Sequence, residues 1–334
     1  MMNWGVISTG RIARAFLDAV RPSETEHVVA VASRDSANAA EIAREFGVER
    51  AYGTYAALLA DPEIQAVYIA VPNSLHGEWA QAAAQASKQI LCEKPLGVSR
   101  GQAATMFSAA RDAGVWLMEA FMYRFHPRTL KIKELIASGA IGRPQLIRAS
   151  FGFAVTDPAN VRLSADLAGG ALMDVGCYCV NFSRMIAGQA PKRVSATARW
   201  GSSGVDETLA ATLDYEGGPI AQISCSLASS HHHLAQVIGS DGIIEVEEAF
   251  TPPPDRPARL RVRRGARFAT VEEIEFPPVN QYRLEAEGFG RLVAAGHTDH
   301  DLPEMPLVET LDNMATIEAL LRSARTEHAV EVEG

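Results

Sequence analysis

Three short motifs in the sequence carry residue types that bind nucleotides or move protons. The first is an amino-terminal turn formed by Ser8, Thr9, Gly10, Arg11 and Ile12. Together with Ala13 it matches the dinucleotide fingerprint G-x-G-x-x-G/A, except that Ser8 replaces the first glycine. The middle glycine lets the backbone approach a pyrophosphate, and the following helix offers its amino-terminal N–H groups. The turn predicts a dinucleotide site, with a purely structural strand–helix turn as the alternative.

The residues at the end of the second apolar run bear on which dinucleotide binds. An NAD site usually has an acidic residue there, which binds the ribose 2′-OH. This chain has Ser33 and Arg34 instead, and a hydroxyl beside a guanidinium suits a 2′-phosphate. Asp35 comes one position late, where it is able to cap the next helix. We therefore expect the cofactor to be NADP, with NAD bound less well.

The second motif follows two further apolar runs. Residues Val71, Pro72, Asn73 and His76 come after one run, and Glu93, Lys94 and Pro95 come after the next. Carboxyl ends of parallel strands line the ligand crevice of a doubly wound sheet, so these residues are candidates for cofactor binding. A lysine there binds a substrate oxygen and favours its deprotonated form. Taken alone, Glu-Lys-Pro also fits a solvated surface turn, and His76 also fits helix packing.

The third motif, GGALMDVGCYCVN, starts at Gly169 and opens a helix. Asp174 and Tyr178 are four residues apart and lie on one helical face. That face is able to hold a carboxylate and a phenol above one substrate. The same pair also fits a helix-terminal charge beside a packed aromatic, and the motif alone leaves both interpretations open.

The segments around these motifs predict the fold class. Through about residue 120, near-continuous apolar strands alternate with amphipathic helices, which is typical of a parallel sheet covered on both faces. Helical patterns over 127–138 and 174–186 then give way to alternating, strand-like segments. We predict an α/β Rossmann domain with a doubly wound parallel sheet over 1–122. An α+β domain with a large, mostly antiparallel sheet follows over 123–334, and its last helix, over 307–324, is a candidate to pack back on the first domain. The stretch 251–264 contains several prolines and arginines, and we predict that it is a loop or a weak edge strand.

The charge, the cysteine content and the apolar runs of the chain argue against several classes of function. The chain has 31 basic and 40 acidic residues, so its net charge of −9 argues against nucleic-acid or anionic-membrane binding. Its four cysteines do not form a disulfide or zinc pattern, and we expect them to be buried. Neither a signal peptide nor a long apolar span is visible, so we expect a cytoplasmic protein. We expect no metal at the run His231 to His233 or at the polar cluster His297 to Asp301.

Taken together, the amino-terminal turn, PNSLH, EKPL and GGALMDVGCY closely resemble the glucose–fructose oxidoreductase/inositol dehydrogenase (Gfo/Idh/MocA) family over essentially the whole chain. The specific feature is E-K-P followed, about 75 residues later, by G-G-x-L-x-D-x-G. The segment MEAFMYRFHP at 118–127, and a tyrosine where inositol dehydrogenases have histidine, resemble one branch of the family. That branch contains dimeric dihydrodiol dehydrogenases and NADP-dependent D-xylose dehydrogenases.

The resemblance implies a role for individual residues. It makes Lys94 a contact of substrate and nicotinamide ribose, Tyr178 the proton donor or acceptor, and Asp174 a substrate ligand. It places Arg124 at the crevice wall. Asn181 stands where many relatives have aspartate, so no catalytic role is carried over to it. The family sheet further implies a homodimer or higher homo-oligomer formed through the carboxyl-terminal domain.

These observations predict an NADP-dependent oxidoreductase. Hydride passes between the nicotinamide and an aldose, polyol or trans-diol, with Tyr178 as acid/base assisted by Lys94. A phenol has a pKa near ~10, and a nearby ammonium brings it closer to working pH. Two alternatives stay open, an NAD-dependent glycosidase of the same superfamily and a nucleotide-binding regulator without turnover. Arg34 argues against the glycosidase, and Lys94, Asp174 and Tyr178 together argue against the regulator.

Overall fold

The computed structural model describes residues 1–265, 267, 270–296 and 305–333. The chain divides into two compact units, the first made of 1–125 and 280–310 and the second of 126–279 and 311–334. The described residues 280–296 and 305–310, which the sequence pattern placed in the second domain, therefore group with the first unit. One cause is an aromatic contact, since Phe289 packs against Trp4 of the first strand with ring centroids 5.6 Å apart.

The strands of the first unit form a six-stranded parallel sheet in the order β3-β2-β1-β4-β5-β6. This is the strand order of dinucleotide-binding doubly wound sheets. It confirms the predicted α/β class of the first half. The strands are β1 Met2–Ile7, β2 Glu26–Ala32, β3 Arg50–Tyr52, β4 Ala66–Ile69, β5 Gln89–Glu93 and β6 Leu117–Ala120.

The second unit contains a nine-stranded sheet in the order β14-β13-β12-β11-β7-β10-β9-β8-β15. Only β7 and β10 pair in parallel among these described strands, and the other neighbours are antiparallel. This confirms the predicted mostly antiparallel sheet. The strands are β7 Pro144–Ala154, β8 Arg193–Trp200, β9 Asp206–Asp214, β10 Ile220–Ser226, β11 Ala228–Gly239, β12 Gly242–Glu247, β13 Ala258–Arg264, β14 Thr270–Phe276 and β15 Val330–Glu331.

The helices alternate with the strands in the first unit and cover the sheet on both faces. Within the described ranges, no helix is both long and apolar enough to cross a membrane. The helices are α1 Arg11–Val20, α2 Ser36–Phe46, α3 Tyr55–Leu59, α4 His76–Gln85, α5 Arg100–Asp112, α6 Pro127–Ala137, α7 Cys177–Ala187, α8 Gln281–Ala295 and α9 Leu307–Thr326.

Local sequence explains most of these boundaries. Every residue of β4 is buried, as expected of a strand covered on both faces. The carboxylate of Asp35 accepts hydrogen bonds from the N–H groups of Ala37 and Asn38, so it caps α2 as expected. The four cysteines are buried and free, which confirms the prediction that they are core residues.

One segment corrects the sequence prediction. Strand β13 lies within 251–264, which was predicted as a loop or weak edge strand, and it is an internal strand between β12 and β14. Leu260 and Val262 are buried, while the arginines that alternate with them along the strand pair with glutamates on the neighbouring strands. Arg263 Nε, for example, lies 2.8 Å from Glu245 Oε2. The alternation of arginine and apolar residues is therefore that of an amphipathic strand.

Candidate active site

The predicted cofactor residues share one edge of the first sheet. Ser8 follows β1, Ser33 follows β2, Val71 comes two residues after β4, and Lys94 follows β5 directly. All these strands are parallel, so their carboxyl ends lie at the same edge, where doubly wound sheets bind their ligands. The topology thus brings together the residues predicted for the nucleotide.

The turn after β1 has a glycine-like backbone conformation at the position of the first fingerprint glycine. Ser8 has φ +113°, a conformation that favours glycine and is strained by about 1–3 kcal/mol for other residues. Its Oγ accepts a hydrogen bond from the Gly10 N–H at 3.2 Å. Among the residues described, no side chain caps the amino terminus of α1. The first-turn N–H groups of α1, including those of Arg11 and Ile12, are therefore suited to bind a phosphate.

The region around Arg34 is suited to a 2′-phosphate. The Arg34 side chain is exposed, and it lies close enough to the Tyr55 phenol to oppose the increase in pKa that burial causes there. The carboxylate of Asp35, the next residue along the chain, is engaged in capping α2. Thr9 is tied to the same helix because its Oγ1 accepts a hydrogen bond from the Asn38 amide at 3.0 Å. A guanidinium is exposed where an NAD site usually has a carboxylate.

Two buried side chains hold the turn that follows Lys94. The Lys94–Pro95 peptide bond is cis. His76 is fully buried and its Nδ1 lies 2.9 Å from the carbonyl oxygen of Pro95, while its Nε2 lies 2.9 Å from that of Val71. The carboxylate of Glu119 accepts a hydrogen bond from the Leu96 N–H at 2.9 Å. His76 therefore lies between two loops of the cofactor edge, and its N–H donates to a carbonyl of one of them. A direct contact with cofactor stays a prediction.

Both of these side chains have strongly shifted pKa values. Burial lowers the pKa of His76 to about 4, so the ring is neutral and donates to only one of the two carbonyls. Burial raises the pKa of Glu119 to about 7, against the opposing effects of its hydrogen bonds and of Arg124 and Lys94. The protonation of Glu119 therefore changes near neutral pH.

Glu93 is oriented towards the interior of the first unit. Its carboxylate accepts a hydrogen bond from the hydroxyl of Tyr68, whose ring stacks on Phe16. Glu285 on α8 is fully buried nearby, and burial followed by the charge of Glu93 raises its pKa well above the usual value. Glu93 thus links the end of β5 to buried polar groups, and its predicted role in cofactor binding stays a prediction.

Arg124 has an ionic partner within the first unit. Its Nη1 lies 2.6 Å from Glu309 Oε2, and the side chain is only 1% exposed. The resemblance predicted that Arg124 lines the substrate crevice. The structure gives it a buried ion pair, and a contact with substrate stays a prediction.

The glycine motif of the second unit is held by a carboxylate from β9. The Oδ2 of Asp206 accepts a hydrogen bond from the Leu172 N–H at 2.7 Å. Gly170 has φ +113°, and a Cβ added to it would lie 2.2 Å from Asp206 Oδ1. Burial raises the pKa of Asp206 to about 6. A residue larger than glycine therefore does not fit at position 170.

The helix predicted over 174–186 begins differently from the prediction. Residues Leu172–Gly176 form a π-helical turn, and the α-helix α7 starts only at Cys177. Single π turns often occur at functional sites. Asp174 lies inside this turn, and Tyr178 lies in the first turn of α7. Both belong to the second unit, whereas Lys94 belongs to the first.

The surroundings of Asp174 and Tyr178 differ in polarity. Asp174 Oδ2 lies 2.7 Å from Arg162 Nε. Tyr178 is 4% exposed, and its ring packs against Phe151 and Phe250 with centroids 5.5 Å apart in each case. The site of the second unit therefore combines a half-buried ion pair with an aromatic wall.

Three residues that no local motif in the sequence reveals hold the candidate motifs in place, namely Glu119, Arg162 and Asp206. Each acts through a partner that is 12 to 34 positions away along the chain. Among the described residues, no group of three or more His, Cys, Asp or Glu side chains is arranged to bind a metal ion. The cluster His297 to Asp301 lies outside the described residues.

Two protein-family models and several enzymes of known activity are similar to this chain. Residues 2–121 match the model of an oxidoreductase family with an NAD-binding Rossmann fold, and residues 129–245 match the GFO/IDH/MocA carboxyl-terminal domain. The chain is 40% identical to the D-xylose 1-dehydrogenase (NADP(+)) 2 of Haloferax volcanii over 334 residues, covering 99% of this chain and 100% of that protein. It is 38% identical to the trans-1,2-dihydrobenzene-1,2-diol dehydrogenase of Mus musculus over 256 residues, covering 75% and 76% of the two chains.

Two solved structures are similar over almost the whole length. One is KijD10, a 3-ketoreductase from Actinomadura kijaniata in complex with NADP and TDP-benzene, with a TM-score of 0.89, 29% identity and coverage of 96% and 97%. The other is the aldose-aldose oxidoreductase of Caulobacter crescentus complexed with glycerol, with a TM-score of 0.89, 25% identity and coverage of 99% of each chain.

Proposed function

Because this chain belongs to the Gfo/Idh/MocA family of oxidoreductases, we propose that it is an NADP-dependent dehydrogenase or reductase. Its substrate is an aldose, a related polyol or a trans-diol. The observation that carries the proposal is the position of Lys94. Lys94 directly follows β5, at the same edge of the sheet as the nucleotide-binding turn. The buried side chains of His76 and Glu119 lie within hydrogen-bond distance of the backbone of the next two residues.

The residues of the first unit fit NADP. The amino terminus of α1 is open to a pyrophosphate, and Arg34 is exposed where a 2′-phosphate requires a cation. Asp35 does not compete for the ribose because it caps α2. When bound, NADP supplies the nicotinamide C4 that accepts or donates a hydride. NAD lacks the 2′-phosphate and binds less tightly.

The chain's own residues then control the substrate and its proton. Lys94 binds the reacting oxygen, and its ammonium favours the deprotonated form of that oxygen. Asp174 accepts a hydrogen bond from a substrate hydroxyl. Tyr178, as its phenolate, takes the hydroxyl proton as the C–H bond breaks and the carbonyl forms, and as the phenol it returns that proton in the reduction. The aromatic packing of Tyr178 fixes its ring for this transfer.

The direct test supplies NADP with a panel of aldoses and trans-diols and follows NADPH by its near-ultraviolet absorbance. We expect turnover on at least one pentose or hexose, loss of that turnover in Lys94→Ala, and its retention in Lys192→Ala. Lys192 is a matched control because its side chain is 57% exposed. Hydrolysis of a chromogenic glycoside without net NADPH formation would instead support the glycosidase. Tight NADPH binding with no activity on any substrate would support a regulator.

The proposal includes a homo-oligomer that forms through the sheet of the second unit and acts in the cytoplasm. The outer face of this sheet carries small polar residues, such as Ser150 and Ser224, whose hydroxyl oxygens lie 2.8 Å apart. Ile220 on β10 and Leu234 on β11, the two strands that flank β7, are 47% and 46% exposed. Sedimentation of wild type and Leu234→Arg tests this contact. We expect a dimer or larger assembly that dissociates in the variant, and a monomeric wild type would contradict it.

A further inference from the structure

The backbone on both sides of the Arg162–Asp174 ion pair is fixed. The side chain of Asn160 accepts a hydrogen bond from the Arg162 N–H at 3.1 Å. The Arg162 carbonyl accepts one from the Gly170 N–H at 2.8 Å, and a Cβ at Gly169 would lie 2.3 Å from that same oxygen. Asp174 lies in the π-helical turn that begins two residues after Gly170. The double glycine thus allows the arginine loop to lie directly against the turn that carries Asp174.

Aromatic rings link Arg162 to Tyr178. The Arg162 guanidinium carbon is 5.7 Å from the centroid of the Phe153 ring. Phe153 contacts Phe151 at 6.4 Å between centroids, and Phe151 contacts Tyr178 at 5.5 Å. Two phenylalanine rings thus connect Arg162 to Tyr178, which is 16 positions away along the chain.

The pair offers hydrogen-bond donors and acceptors side by side. Arg162 uses Nε for Asp174, and a guanidinium carries donors on its two other nitrogens as well. An ionised carboxylate only accepts, and its two oxygens have room for several hydrogen bonds. The side chains of Arg162 and Asp174 are 32% and 14% exposed, so a small molecule is able to reach them. A vicinal diol matches this arrangement because each of its hydroxyls both donates and accepts.

We propose that Arg162 is a specificity-determining residue, which together with Asp174 binds the hydroxyl next to the reacting carbon of a neutral sugar or diol. The inference rests on the proposed function and deepens it. The two charges cancel, so the pair favours an uncharged polyhydroxy compound over a sugar acid or sugar phosphate. The chemistry of hydride transfer itself stays with Lys94 and Tyr178.

The test compares an aldose that wild type oxidises with its 2-deoxy analogue, using kcat/KM for each. Arg162→Gln removes the guanidinium, and we expect it to lower kcat/KM on the aldose by about 10- to 100-fold, the effect of a hydrogen bond to a charged group. On the 2-deoxy analogue we expect less than about a 3-fold change, because the hydroxyl that the pair holds is absent. Arg162→Lys keeps one donor and should fall between wild type and Arg162→Gln.

Arg193→Gln is the matched control, since Arg193 is 60% exposed in a surface ion pair of the same unit. It should leave both substrates unchanged. An equal loss on both substrates in Arg162→Gln and Arg162→Lys would overturn the inference and show that Arg162 only supports the fold. No change on either substrate would also overturn it. Failure of wild type to oxidise any sugar or diol would overturn the proposed function and this inference with it.

Discussion

The carboxylate of Glu119 on β6 accepts a 2.9 Å hydrogen bond from the backbone N–H of Leu96, two residues after Lys94. His76 holds the intervening Pro95 through its carbonyl oxygen. Both side chains are buried, at 1% and 0% exposure, so the turn that presents Lys94 is set from inside the first unit. His76 and Glu119, both titratable, therefore fix the backbone from which the side chain of the proposed catalytic Lys94 extends.

We expect Glu119→Gln to change how stability depends on pH. Burial raises the pKa of Glu119 from 4.5 to about 7, so the folded chain keeps a proton that the unfolded chain has lost between those values. The contribution of Glu119 to stability is full below pH 4.5 and is lost as pH rises through 7. Glutamine keeps an acceptor for Leu96 but does not ionise. Relative to wild type, the variant should gain on the order of 2–3 kcal/mol between pH 5 and pH 8.

Urea unfolding at the two pH values measures this difference. Glu134→Gln serves as the control because Glu134 is 65% exposed on α6, and it should show no comparable gain. The same stability difference between Glu119→Gln and wild type at both pH values would show that the carboxyl group does not titrate in this range.

Gly170→Ala should destabilise the second unit and slow catalysis. The added Cβ would lie 2.2 Å from Asp206 Oδ1, and φ +113° is itself unfavourable for alanine. We expect a loss of about 2–4 kcal/mol in unfolding free energy and a lower kcat, since Asp206 holds the turn that carries Asp174. The control is Gly188→Ala, where φ is +73° but no atom lies within 4 Å, and which should cost about 1 kcal/mol. Thermal unfolding and kcat give the comparison, and equal effects of the two variants would refute the steric argument.

Arg34→Ala should separate the two dinucleotides. The guanidinium is exposed where a 2′-phosphate would lie, so its loss should raise the dissociation constant of NADPH by about 10- to 100-fold. The dissociation constant of NADH should change by less than about 2-fold. Arg44→Ala, at an exposed position in the last turn of α2, is the control. Fluorescence titration with both dinucleotides measures the effect, and equal losses of affinity would contradict a 2′-phosphate contact.

Tyr178→Phe should reduce turnover by ~100-fold or more, because the phenol carries the proton of the reacting hydroxyl. The ring and its packing against Phe151 and Phe250 remain, so NADPH affinity and melting temperature should stay close to those of wild type. Steady-state kinetics together with NADPH titration separate these two effects. Wild-type turnover in the variant would remove Tyr178 from the mechanism.

The architecture of the first unit was predictable because its strands are short apolar runs that need no knowledge of distant residues. Helix α8 was missed, since its buried positions include Glu285 and two glycines rather than a regular apolar stripe. Strand β13 was predicted as a loop or weak edge strand because its many arginines are typical of a solvated segment. The glutamates on β12 and β14 that pair with these arginines are apparent only in the folded sheet. Each of these errors arose from a tertiary partner that local sequence does not reveal.

In the candidate site, too, residues in local motifs were predictable, whereas their distant partners were not. Lys94, Asp174 and Tyr178 stand in local motifs with recognisable spacing, and the structure places the first directly after β5 and the other two at the start of α7 and its π turn. Glu119, Arg162 and Asp206 hold those motifs in place from elsewhere in the chain. Charge and spacing alone gave no reason to pair Arg162 with Asp174 or Asp206 with Leu172.

The most direct test of the account follows the transferred hydrogen. An aldose that is deuterated at C1 and turned over with NADP should yield NADPH carrying one deuterium at C4 of the nicotinamide, as measured by mass spectrometry. Lys94→Ala should abolish this transfer, and Tyr178→Phe should slow it. NADPH free of deuterium, or a reaction that releases a new sugar without net reduction of NADP, would contradict the proposal that this protein is a sugar or diol dehydrogenase.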